Sequence, residues 1–117
     1  PDIIIGLFHS GLNGGITTAE YEENAALRIA REVPGFDLIL YGHDHRANRE
    51  YATNNEGNKV LCLNPSSDAR YVSDALIKLT LDNNGRLTSK EITGDVRNIS
   101  DPASRPGLYG LFQKCHR

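Results

Sequence analysis

The sequence contains no methionine at all and opens on Pro1, running directly into three isoleucines at 3–5. The expectation is that this is a piece of a longer protein that begins inside its fold. No run approaches the ~18 apolar residues of a membrane-spanning helix. Thirteen basic and fifteen acidic residues, net −2, are spread evenly. There is no basic stripe of the kind that binds a nucleic-acid polymer, and no block of like charge that would mark an interaction tail. Two cysteines, Cys62 and Cys115, stand far apart without a CxxC pattern and do not settle the redox compartment. Cys62 lies in an apolar run and reads as a small core residue. Cys115 and His116 fall in the tail and take no role. Neither an internal repeat nor a low-complexity tract occurs. What remains is one domain's worth of chain, 117 residues with 38% hydrophobic content, enough for a modest core.

Residues 3–8 form an apolar run broken only by Gly6, the pattern of a strand buried on both faces. His9 follows at once. A glycine-rich loop, Ser10 to Gly15, leads to Thr17-Thr18-Ala19-Glu20, which fits a capping box. Tyr21, Ala25 and Ile29, with Ala26, Ala30 and Val33 beside them, then make an apolar stripe, so a helix is expected over 18–33. Pro34-Gly35 ends it. A second buried strand at 37–41 follows, and strand–helix–strand predicts parallel strands with a right-handed crossover. Residues 46–53 and 59–63 flank a turn-rich Asn54 to Asn58 as a hairpin, and Asn64-Pro65-Ser66-Ser67 stops its second arm. Residues 71–81 and 86 to about 93 form a second hairpin around Asp82-Asn83-Asn84-Gly85. Past Gly94 the pattern fades into a linker at 101–107, and 108–115 could begin a helix of a following domain. The division expected is 1–94 and 95–117.

Gly42-His43-Asp44-His45 is the stretch that carries chemistry. On an extended backbone the two histidines project to one side. Imidazole is a common metal ligand, so two aimed together point to one or two metal ions; a pair of surface histidines in a polar loop is the alternative. Parallel strands end at one sheet edge, where open α/β sheets bind ligands, so His9 is brought to the same rim as His43 and His45. Gly42 would let the chain turn sharply or approach an ion closely. Asp44 reads either as an acceptor orienting one ligand or as a solvent-facing side chain. Asn13 either shapes the entrance beside His9 or belongs to a plain loop.

With Leu7-Phe8-His9-Ser10-Gly11 and Gly42-His43-Asp44-His45 at the ends of successive strands, the chain resembles the calcineurin-like metallophosphoesterases. Within them it is most similar to the 5′-nucleotidase and 2′,3′-cyclic-nucleotide phosphodiesterase branch. The resemblance covers about residues 2 to 94 and implies an α/β fold: half of an αββα sandwich, one βαβ unit followed by antiparallel hairpins. It implies His9 and His43 on one metal and His45 on the other, in a centre of two divalent ions of the Mn, Zn, Fe, Mg or Ca class. The implied substrate is a nucleotide or another phosphate ester, and the implied setting exported or periplasmic. An Asp-x-His motif, a bridging aspartate and an Asn-His pair would come from a missing N-terminal half of the catalytic domain. The chain alone is therefore expected to be inactive and, with an apolar face uncovered, to self-associate. A non-catalytic metal-binding or interaction module is the reading from another class.

Overall fold

The computed structural model describes residues 1–100. Its elements are β1 (Ile5–Phe8), α1 (Ala26–Glu32), β2 (Leu38–Tyr41), β3 (Ala47–Thr53), β4 (Lys59–Pro65), β5 (Tyr71–Leu81) and β6 (Leu87–Asn98). Four strands form one sheet in the order β1-β2-β4-β3, and β5-β6 form a separate antiparallel pair. β1 and β2 are parallel neighbours, β2 and β4 are parallel, and β3 runs antiparallel to β4. The mixed α/β arrangement of a βαβ unit followed by two hairpins is the one expected, with the first hairpin joined to the parallel sheet through β4.

Alternation within the central strands separates two apolar faces. Ile39, Tyr41, Val60, Cys62 and Ala52 face α1, whose Ala26 and Ala30 are fully buried one helical turn apart. Leu38, Leu61 and Leu63 point the other way, onto Ala75, Ile92 and Val96 of the β5-β6 hairpin. The hairpin is also tied electrostatically. The buried Asp37 carboxylate accepts the Ile4 N–H (2.9 Å) and pairs with Lys90 Nζ on β6 (2.7 Å).

Burial of β1 differs from expectation. Ile5 and Leu7 are in register with Leu38 and Leu40, hence on the hairpin's side of the sheet, yet they are 48% and 81% exposed. The two-stranded hairpin covers β2 and β4 and does not reach the edge strand. The chain by itself leaves an apolar sheet face open.

The helix is shorter than its sequence pattern. Residues 18–25 are a loop: Thr18 N–H bonds the Tyr21 carbonyl, and Thr17 bridges to Glu22. Tyr21 and Val33, read as part of the apolar stripe, are exposed. No side chain of the capping box caps α1. The amides of Ala25, Ala26 and Leu27 are instead satisfied by Ser10 Oγ and by the carbonyls of Gly11 and Leu12. These partners lie on the loop after β1, and they supply from a distance what a local cap would have supplied. β4 runs to Pro65, past the expected stop at 63. β6 continues through Gly94 to Asn98 because its ladder with β5 persists to the Tyr71–Asn98 pair. The expected linker at 101–107, the helix start at 108–115, Cys115 and His116 lie outside the described residues.

Burial pushes the Cys62 thiol from 9.0 up to about 11 and the Tyr41 hydroxyl from 10.0 up to about 12. Both groups are neutral in the folded chain at pH 8. As pH rises through 9 and 10 the unfolded chain ionises first, so folding stability declines over the window from about 9 to 12. The melting temperature is expected to fall between pH 8 and pH 10.5, and Cys62→Ala should flatten that decline. A decline of equal slope in Cys62→Ala would remove the thiol from the explanation.

Candidate metal centre

Phe8 and Tyr41 are register partners, so β1 and β2 end side by side and deliver His9 and His43 to one rim. His9 Nε2 lies 3.3 Å from His43 Nδ1, with ring centroids 5.0 Å apart and planes inclined at 65°. The second nitrogen of His43, Nε2, lies 3.0 Å from Glu23 Oε1. Glu23 is fixed in turn by its other oxygen, which accepts the Ile16 N–H at 2.8 Å. The His43 hydrogen bond, then that from Ile16, holds the Glu23 carboxyl below the usual carboxylate range. A carboxylate on Nε2 requires the proton there, which leaves Nδ1 as the lone-pair nitrogen facing His9.

These two imidazoles fit part of a metal shell. Nitrogens each ~2.05 Å from one tetrahedral ion stand about 3.3 Å apart, the separation seen here between His9 Nε2 and His43 Nδ1. Glu23 does not converge with them, since it occupies the far side of the His43 ring. Among the described residues no three His, Cys, Asp or Glu side chains gather as a metal-holding group.

His45 is placed differently. Its carbonyl accepts Ser66 Oγ at 2.9 Å, and its ring hydrogen-bonds neither His9 nor His43 among the described residues. It stands beside the loop at 66–70. There Asp68 is held below the usual carboxylate range mainly by Arg70 and Ser67, with His45 a minor contributor.

The backbone explains the divergence. His43 (φ 78°) and His45 (φ 55°) are both left-handed, so they do not project from one side of an extended segment. Gly42 has an ordinary φ, and a Cβ there would meet nothing. The turn is made by the histidines and held by Asp44. Its N–H bonds the Gly42 carbonyl (3.0 Å), Oδ2 accepts the Leu12 N–H (2.9 Å), and Oδ1 accepts Asn64 Nδ2 (2.6 Å) and the Arg46 N–H (3.2 Å). Asp44 is thus neither a ligand-orienting acceptor nor solvent-facing; it braces the loop.

Asn24 does the same on the other side, accepting the Gly11 N–H at 2.8 Å. A side chain at position 11 would collide with Asn24 and Asp44, which is why a glycine stands there. Asn13 lines a cleft of about 490 Å³ with Gly15, Asn24, Asp44 and Asn48, beside the imidazole pair rather than in it. A further cleft of about 470 Å³ near Asp37 and Lys90 opens at the opposite ends of the strands, remote from the histidines. Sequence reasoning missed Glu23, Asn24 and the buried Asn64. The first two sat inside the segment read as helix, 18–33.

No family model matches this chain, and neither does any curated protein. Among solved structures it is similar to the calcineurin-like phosphoesterase YfkN from Bacillus subtilis. That likeness has a TM-score of 0.63 at 24% identity, over 98% of this chain and 37% of that one. A weaker likeness, TM-score 0.42 at 20% identity, is to a 5′-nucleotidase precursor from Thermus thermophilus, over 77% of this chain and 21% of that one. The chain therefore spans little more than a third of the phosphoesterase it superposes on along nearly its whole length. Its fold is that of a part of this calcineurin-like phosphoesterase.

Proposed function

We propose that the chain is the C-terminal portion of the catalytic domain of a metal-dependent phosphoesterase. The esters are those of nucleotides, cleaved in the manner of a 5′-nucleotidase or a cyclic-nucleotide phosphodiesterase. His9, His43 and His45 would be ligands of a centre of two divalent ions, and an exported setting goes with the same reading. The observation that carries the proposal is the His9–His43 pair. Two imidazole nitrogens stand at one-ion spacing on the rim formed by two parallel strands, within a phosphoesterase fold.

Neutral imidazoles hold ions without cancelling their charge, and such a pair of ions polarises a phosphate ester and acidifies a bound water. His9 and His43 would hold an ion through their facing nitrogens, and the Asp44 brace fixes the loop that presents His43. His45 would join them from the same loop, its carbonyl held by Ser66 Oγ. The open face of Ile5 and Leu7 is where the rest of the domain would pack, and two copies of the lone chain would self-associate through it.

Incomplete ligation predicts that the chain alone is inactive. No turnover of bis(p-nitrophenyl) phosphate above the blank is expected with excess Mn²⁺, while calorimetry should register a divalent ion lost in His43→Ala. Turnover that His43→Ala abolishes would show the histidines sufficient. Failure of wild type to bind any divalent ion, even with the remainder of the domain supplied, would favour a non-catalytic module.

A further inference from the structure

We propose that Glu23 is a positioning residue for this site: its carboxylate takes the Nε2–H of His43 and commits Nδ1 as the nitrogen that faces His9 and receives a divalent cation. The inference rests on the metal-centre reading and adds to it the tautomer of one ligand and the residue that sets it.

Three observations converge. Glu23 Oε1 is 3.0 Å from His43 Nε2, whereas the opposite nitrogen of the same ring lies 3.3 Å from His9 Nε2. A neutral imidazole has one proton, so a carboxylate acceptor on one nitrogen determines which other atom carries the lone pair. The Glu23 carboxylate is also immobilised, since Oε2 is held by the Ile16 amide and the neighbouring Asn24 is anchored to Gly11. Histidines that ligate metals generally donate their other N–H to such an acceptor, which fixes the ring and raises its basicity. A purely structural role for Glu23 would use only the Ile16 bond. The bond to His43 uses the other oxygen, so the two roles can be separated.

The test uses the ¹⁵N-labelled chain without metal, at a pH above 8. Long-range ¹H–¹⁵N correlation spectra read the His43 tautomer directly. Wild type is expected to hold the proton on Nε2, Glu23→Ala to show a mixture, and Glu23→Gln to keep the wild-type tautomer through its amide oxygen. Zn²⁺ titration should then show a 10- to 100-fold weaker affinity for Glu23→Ala, as loss of such outer partners commonly gives, with substantial recovery in Glu23→Gln. His43→Ala should lose more. A proton on Nδ1 in wild type, or a Glu23→Ala chain with unchanged tautomer and unchanged Zn²⁺ affinity, overturns the proposal and leaves the metal centre standing. Wild type and His43→Ala both failing to bind Zn²⁺ overturns the metal centre, and the tautomer then judges Glu23 by itself. If Glu23→Ala does not fold, loss of the wild-type tautomer in Glu23→Gln overturns the proposal, and its retention supports it.

Discussion

On the proposed function, replacing His43 by alanine in a protein that joins this chain to the remainder of such a catalytic domain is expected to lower metal-dependent phosphate-ester turnover by at least about 100-fold. The ring offers Nδ1 to the pair formed with His9, and alanine offers nothing in its place. Position 43 also has a left-handed backbone, φ 78°, which costs an ordinary L-residue about 1–2 kcal/mol. His43→Gly should therefore lose the same turnover while melting higher than His43→Ala, because glycine adopts that backbone freely. Equal loss of activity with a stability that follows the backbone freedom of the replacement is the mark of strain kept for a site. Steady-state kinetics and thermal melts on the two variants decide the matter. Turnover within a few-fold of wild type in either variant would remove His43 from the centre, and equal melting temperatures would remove the strain.

The parts of this fold legible in sequence were those set by continuous apolar pattern. Two runs with a helix between them gave β1, α1 and β2 in parallel order, and turn chemistry at Asn54 and Asp82 gave both hairpins. Asn54 Oδ1 gathers the amides of Glu56 and Asn58, and Asp82 Oδ1 those of Asn84 and Arg86, each an interaction within four residues. What the sequence hid was decided by partners distant along the chain. The start of α1 is set by Ser10, Gly11 and Leu12, so the local capping signal at Thr17 misplaced it. Glu23 reaches His43 on the loop after β2 and Asn24 reaches Gly11 on the loop after β1, and no periodicity announces either. The bringing together of His9 and His43 followed from strand direction alone. The conformation of the chain at His45 did not, because it depends on left-handed backbone at two histidines, positions where sequence alone favours glycine.

Asp44→Ala is expected to destabilise the fold by about 2–4 kcal/mol, lowering the melting temperature by on the order of 10–20 °C. A solvent-facing aspartate would cost no more than about 0.5 kcal/mol. The larger figure follows from what Asp44 joins. It accepts from Leu12 after β1, from Arg46 ahead of β3, and from Asn64 on β4, whose side chain is fully buried. Asn64 Oδ1 accepts the Ser66 amide, and Ser66 Oγ closes the circuit on the His45 carbonyl. Removing the carboxylate leaves a buried amide donor without its partner and releases the loop that holds both histidines at positive φ. Asp44→Asn separates charge from geometry. All three bonds arrive from donors, so the asparagine oxygen can serve Asn64 and Arg46, while its NH₂ is set against the Leu12 N–H. Its cost should fall between those of wild type and alanine, at about 1–2 kcal/mol. Chemical denaturation of the three chains measures both steps. An alanine variant as stable as wild type would show that the loop is held by its own backbone, and an asparagine variant as damaged as alanine would show that the negative charge, not the acceptor count, carries the brace.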